Sequence, residues 1–158
     1  WVYSSLTGTF GGSLMNYSGT YAYPFTYTIN STNTWQYITI VVPGATSGSW
    51  VAGTNSVGIY LNFNIGTGST NSGPAGAWAA GNYTNSTGAT SVVGTNAATW
   101  YVTGVQFEVG TVATSFDYRD YGRELIMCQR YFFTALNANI ATWRFNTICC
   151  VANLCRCF

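Results

Sequence analysis

Apolar and polar side chains alternate with period two through most of the first 110 residues. In VGIYLNFNI, Val57, Ile59, Leu61, Phe63 and Ile65 fall on one face of an extended chain, with Gly58, Tyr60, Asn62 and Asn64 on the other. That is the pattern of a half-buried strand. In TWYVTGVQFEV, Tyr101, Thr103, Val105, Phe107 and Val109 alternate with Trp100, Val102, Gly104, Gln106 and Glu108, predicting a second strand with a bulge near Gly104. TYAYPFTYTI, TWQYITIVV and the opening WVYSS carry the same β-branched and aromatic signature. Pro24 lacks the N–H that a ladder needs, so its strand is expected at an edge or a bulge.

Turn clusters separate these runs: NSTN at 30–33, PGATSGS at 43–49, and a long span at 66–98 rich in Gly, Ser, Thr and Asn. No helix fits the long span, although SVV within it suits a brief strand. Several short strands between such turns predict an all-β antiparallel β-sandwich, with a jelly roll as the candidate at this length. The sandwich is expected over residues 1–120, with 121–158 leaving it as an exit segment and tail. Within that segment YGRELIMCQRYFF fits two patterns. Leu125, Met127, Gln129 and Tyr131 alternate as in a strand, while Leu125, Cys128 and Phe132 form a helical stripe.

Composition narrows the chemistry. Charged residues are 6% of the 158, against about 25% in ordinary globular chains, and Lys and His are absent. No Asp, Glu, Lys or Arg precedes Glu108; seven of the nine charges lie between Glu108 and Arg130, and the other two are Arg144 and Arg156. Without cations over that length the chain cannot release counterions from a phosphate backbone, so no nucleic-acid partner is expected. General acid–base catalysis needs titratable groups poised near the working pH, and without His few remain, so no catalytic residues are assigned. Nothing matches a phosphate loop or a dinucleotide fingerprint, and no cofactor is expected. No apolar run reaches the roughly 20 residues of a membrane-spanning helix. The 27 aromatics and 47% hydrophobic content nevertheless support a folded core.

Two metal readings fall away on spacing and charge. Cys149, Cys150, Cys155 and Cys157 are arranged as CC then CxC, unlike the paired CxxC of ordinary zinc sites. Glu108, Asp117, Asp120 and Glu124 are interleaved with arginines, so no tight acidic calcium site is expected. Cys128 reads as a small buried hydrophobe. Asn16, Asn30, Asn82 and Asn85 each begin an NxS or NxT triplet, a chance outcome in this composition, and are expected to be bare.

Aromatics and amides are the functional lead. A sugar offers apolar C–H faces and a rim of hydroxyls, which a neutral site meets with flat rings and donating and accepting amides. Trp78 lies in a Gly/Ala loop where no strand alternation demands it, followed by Asn82 and Tyr83; Trp50 follows GATSGS in a similar loop. Tyr60, Asn62 and Asn64 share the polar face of their strand. Trp78, Tyr60, Asn62, Trp50 and Asn82 are therefore the candidate carbohydrate-binding residues. Packing between strands competes for every Trp, with Trp35, Trp100 and Trp143 placed on that side.

The stretch YVTGVQFEVGTVATSFDYRDYGRELIMCQRYF, Tyr101 to Phe132, closely resembles a segment near the end of a carbohydrate-binding-module-like domain in tail-fibre and other structural proteins of tailed bacteriophages. SSLTGTF and GPAGAWAAGN look like parts of the same domain, so the resemblance covers roughly residues 1–132. It implies a jelly roll of galactose-binding-like topology on an external virion appendage. There it would act as a tail-fibre-type adhesin binding host-surface glycans, beside other virion proteins and as a homotrimer or other homo-oligomer. The charged segment would mark the exit toward a following module. A ligand-free structural virion module, in capsid decoration or a fibre scaffold, is the alternative. A polysaccharide depolymerase ranks behind both, since paired carboxylates are lacking before residue 108. The family's domain begins with further strands before WVYSS, so an incomplete front is expected. After Phe133 the resemblance stops.

Overall fold

The structure, a computed structural model, describes residues 1–51 and 56–131. The Cys149, Cys150, Cys155 and Cys157 cluster, Trp143 and the sequence after Phe133 lie outside the described residues. Among those described the regular structure is mostly strand, paired antiparallel except for one two-residue parallel pair, with one short α-helix. The elements are β1 (Val2–Ser4), β2 (Gly8–Asn16), β3 (Tyr21–Ile29), β4 (Ile59–Asn64), β5 (Ser72–Gly73), β6 (Ala79–Ala80), β7 (Asn85–Ser86), β8 (Trp100–Val102) and α1 (Tyr121–Tyr131). A four-stranded antiparallel sheet runs β4-β2-β3-β6, β1 pairs with β8 antiparallel, and β5 pairs with β7 parallel. The chain divides into two compact units, Trp1–Ser115 and Phe116–Phe158.

The β2–β3 hairpin organises the first unit. Its register sets Phe10 opposite Tyr27, Gly12 opposite Phe25 and Leu14 opposite Tyr23, so one face of the sheet carries a continuous apolar layer. Phe10 and Ile29 have no exposed surface, and Val2, Leu14, Tyr23, Phe25, Tyr27 and Val92 complete the buried cluster. Burying a side chain of this size contributes roughly 1.5–3 kcal/mol. The ladder closes only because Gly12 has no side chain: a Cβ there would meet the Asn62 carbonyl and sit 2.6 Å from the Phe25 ring. On the opposite face Gly11 makes the equivalent concession to Asn85 and Ser86 of β7. β2 is thus covered on both faces, which is why GTFGGSLMN lacks the alternation of a one-sided strand.

Asn16, fully buried at the end of β2, uses its whole amide. Its Oδ1 accepts the Thr20 and Tyr21 N–H groups at 3.0 and 3.1 Å, while Nδ2 donates to Thr20 Oγ1 at 3.1 Å and to the Ser49 carbonyl at 3.0 Å. One buried side chain therefore closes the β2–β3 turn and ties the 43–50 loop to it. Asn85 is buried as well, so neither amide nitrogen is open to a glycan in the folded chain.

Several strands come out shorter than their sequence patterns. TWQYITIVV joins the sheets at a single bridge, Val2 with Gln36. Past it Ile38, Ile40 and Val42 still turn toward the core while Tyr37, Thr39 and Val41 face outward, so the period survives without a ladder. The strand expected at 101–109 is only Trp100–Val102, and Gly104 takes φ 58°, a left-handed turn in the backbone where a bulge was expected. SVV forms no strand, though its Val92 is core. Pro24 lies within β3, but β6 pairs only with Tyr21 and Ala22, and the Pro24 carbonyl accepts the Gly76 N–H at 2.9 Å. Pro24 thus directs its missing donor away from β2, as an edge position requires.

In the second unit YGRELIMCQRY forms α1, so the helical pattern wins over the alternating one. Asp120 caps α1, its Oδ1 accepting the Arg123 N–H at 3.0 Å. Arg119 bridges Asp117 at 2.9 Å and Glu124 at 3.1 Å, and these contacts, Asp117 foremost, raise its already high pKa. Cys128 is exposed, contrary to the buried role expected of it, because α1 turns its described side chains outward, with Glu124 alone half-buried. No helix among the described residues is long and apolar enough to cross a membrane.

Two measurements check this packing. Gly12→Ala should lower unfolding stability by about 1–3 kcal/mol in urea titrations, whereas Gly44→Ala, with open space around it, should stay within about 0.5 kcal/mol. The second concerns Tyr27, whose hydroxyl is buried without a hydrogen-bond partner, as is the Trp100 indole nitrogen. Burial pushes the Tyr27 pKa up to about 12, with the Trp100 N–H, close by but outside hydrogen-bond geometry, opposing the shift. A raised folded-state pKa gives stability that is complete below the unfolded value of 10.0 and lost as pH climbs to about 12. The wild type should lose up to about 100-fold in its folding constant over that window relative to Tyr27→Phe. At neutral pH the variant should be equal to it or up to about 1 kcal/mol more stable.

Candidate aromatic recognition surface

The five residues singled out by sequence do not converge. Trp78 and Trp50 do meet, with ring centroids 5.3 Å apart and planes at 89°. Trp78 also stacks on Tyr21 at 5.8 Å and 4°, and tilts against Tyr23 at 5.5 Å. It is half-buried against the core, and its indole N–H donates to the Pro43 carbonyl at 2.6 Å. With neighbours on several sides and its polar atom engaged, Trp78 acts as a packing wedge over the β3 edge. Trp50 caps that wedge, its N–H bonded to the Ser47 carbonyl at 2.9 Å.

Tyr60 and Asn62 belong to the other face of the sheet. The β2–β4 register sets Tyr60 opposite Met15 and Asn62 opposite Ser13. Asn62 Nδ2 donates to Ser13 Oγ at 3.0 Å, and Asn64 bonds Thr67 Oγ1 at 2.7 Å and the Gly66 N–H at 2.7 Å. These amides hold strands and turns together. Asn82 is exposed near the β2–β3 turn, where a Cβ on Gly19 would lie 3.6 Å from its Oδ1.

A different surface gathers aromatics in number. β1 is flanked by β8 on one side and by the 35–37 segment on the other, with Val2 making reciprocal 2.9 Å hydrogen bonds to Gln36. Val2 and Ser4 point into the molecule, and Trp100 on β8 packs against Phe63 at 5.6 Å. Residues of the opposite parity face out. Trp1 meets Tyr37 at 5.3 Å, and Tyr3 meets Trp35 and Tyr101 at 5.5 Å each, with interplanar angles of 52–61°. Trp1 and Trp35 are 45% exposed, Tyr37 52% and Tyr101 53%, with Tyr3 half-buried among them. The tilted rings make shallow notches rather than a flat plate.

Local chemistry holds the outer row in place. Gln36 Oε1 accepts the Asn30 N–H at 3.1 Å and its Nε2 donates to the Ser31 carbonyl at 3.1 Å, closing the 30–36 turn from within. Asn33, at φ 53°, sends its N–H to the Ser4 carbonyl at 2.7 Å and accepts the Tyr3 hydroxyl at 3.3 Å. Polar tips at this surface are therefore hydroxyls, indole N–H groups and amides.

Sequence reasoning placed Trp35 with the packing residues and gave Trp1, Tyr3, Tyr37 and Tyr101 no role. The signal was a repeated triplet, WVY at 1–3 and WQY at 35–37. Paired antiparallel about Val2 and Gln36, two such triplets set each Trp opposite a Tyr on one face. No family model, curated protein or solved structure matches the chain.

If Gln36 fastens this surface, Gln36→Ala should cost about 1–2 kcal/mol for two lost hydrogen bonds. It should also shift tryptophan emission to the red as Trp1 and Trp35 become fully hydrated. Unchanged emission would show that the outer row is held by other contacts.

Proposed function

We propose that this chain is a non-catalytic recognition module, a β-sandwich of jelly-roll type that binds host-surface glycans through the exposed rings of Trp1, Tyr3, Trp35, Tyr37 and Tyr101. The observation that carries this reading is the clustering of five aromatic side chains on one outward face in a stretch whose sequence holds no charged side chain before residue 108. Rings left in water at this density favour a partner with apolar faces, and their hydroxyl and indole tips suit one edged with hydroxyls. Pyranose rings combine both properties. Support for the two-layer arrangement comes from Val2 and Trp100, which join the apolar face of the four-stranded sheet.

The setting follows from the resemblance of Tyr101–Phe132 to phage tail-fibre segments. In this reading the module sits on an external virion appendage beside other virion proteins and is presented in several copies. Each site binds weakly, and repetition supplies the avidity. Exclusion of charge suits the same setting, since crowded copies do not repel one another.

A glycan array probed with the chain displayed at high valency tests the reading. Binding to neutral glycans is expected, little changed between low and high salt because no ion pair contributes. Trp35→Ala and Tyr101→Ala should each weaken it about three- to tenfold, with Trp50→Ala close to wild type. Absence of binding at high valency would favour a ligand-free structural module. Release of oligosaccharides from host polymer would instead demand an enzyme.

A further inference from the structure

Asn33 differs from the other amides of the first unit in what it leaves free. Asn16, Asn62 and Asn64 bond strands and turns through their side chains, and Gln36 uses both amide atoms inside the 30–36 turn. Asn33 is exposed, and its Oδ1 accepts the hydroxyl of Tyr3, thirty residues away in sequence, at 3.3 Å. Its Nδ2 has no partner among the described residues. A turn asparagine ordinarily folds its side chain back onto its own backbone two residues on. Asn33 instead turns it to a ring of the aromatic surface. Its backbone, at φ 53°, is one that glycine adopts without steric cost, so conformation alone gives no reason for a side chain here. The position is firmly held. The Asn33 N–H bonds the Ser4 carbonyl at 2.7 Å, and Gln36 closes the turn through the Asn30 N–H and the Ser31 carbonyl.

We infer that Asn33 is a specificity-determining residue of the aromatic surface, its Nδ2 donating to a hydroxyl or acetamido oxygen at the edge of a sugar seated on Tyr3. This rests on the glycan reading and adds to it the group that tells one sugar from another. Aromatic rings hold the C–H face of a pyranose with little regard to how its hydroxyls are disposed. A fixed amide at the rim does discriminate, because a sugar with no oxygen in that place forfeits the hydrogen bond. The register provides the seat. Tyr3 stands opposite Tyr101 in the β1–β8 ladder and meets Trp35 on its other side, at 5.5 Å in both directions. Tyr3 is half-buried and its two neighbours are more exposed, so Tyr3 is the floor of a notch between them. The Tyr3 hydroxyl brings the Asn33 amide to the end of that floor. Its bond to Oδ1 orients the amide plane before any ligand arrives, so little freedom is lost on binding.

Two substitutions separate contact with the ligand from support of Tyr3. Asn33→Gly keeps the left-handed backbone and removes both amide atoms, whereas Asn33→Asp keeps an oxygen for the Tyr3 hydroxyl and removes the N–H donor. Both should match the wild type in circular dichroism and thermal unfolding. The full chain, displayed at high valency, is titrated against a panel of neutral oligosaccharides of glucose, galactose and N-acetylglucosamine. Both variants should bind the preferred oligosaccharide about three- to tenfold more weakly, and the preference within the panel should narrow. Wild-type affinity in Asn33→Asp would reduce Asn33 to a support for Tyr3, and wild-type affinity in Asn33→Gly would show that the amide touches no ligand. A uniform loss across the panel would remove its part in specificity. Each of these results overturns the inference and leaves the glycan reading standing. No binding by the wild type anywhere on the panel would defeat the glycan reading itself, and the inference with it.

Discussion

The close approach of chains at Gly11 and Gly12 is the constraint on which the rest of the first unit depends. A side chain at Gly12 would push Phe25 and the β4 backbone away, and one at Gly11 would displace β7. With both absent, β2 is enclosed between an apolar layer and a layer of short polar side chains. Phe10, Leu14 and Phe25 then form one core with Val2 and Val92, contributed from distant parts of the chain. Long loops tolerate this arrangement because their ends are tied by side chains such as Asn16 and Gln36 rather than by further strands.

Neutrality is the second organising fact. Where most domains keep solubility with Lys and Glu, the first 107 residues use hydroxyls and amides, and many of these are spent internally. Ser13, Asn62, Asn64 and Asn85 satisfy backbone or one another in places where a charge would need an ionic partner. Aromatic rings then supply much of the exposed surface around β1. Among the described residues Glu108 binds Thr114, and Arg119 binds Asp117 and Glu124. Their clustering in sequence corresponds to a turn and a helix start.

Much of the architecture was legible. Period two identified β4, and the β-branched and aromatic signature of TYAYPFTYTI identified β3, although Leu61 and Ile65 on the expected inner face of β4 are exposed. β2 was not legible as a strand because, enclosed on both faces, it replaces alternation with glycines. The extent of β8 was overread, since alternation records side-chain parity and not the presence of a hydrogen-bonding neighbour. Trp78 and Asn62 were chosen for residue type, yet the fold uses them for packing and bonding, whereas the five surface aromatics become a group only through pairing between residues more than thirty apart.

The Val2–Gln36 bridge has a consequence for the spacing of the aromatic rings. Trp35 and Tyr37 ride on a strap fastened at its middle, while Trp1, Tyr3 and Tyr101 stand on a fixed bed. Both banks of rings are therefore moored, one by a ladder and the other by that bridge together with the Gln36 amide and the inward Ile38 and Ile40, so the gap between them is fixed by the fold.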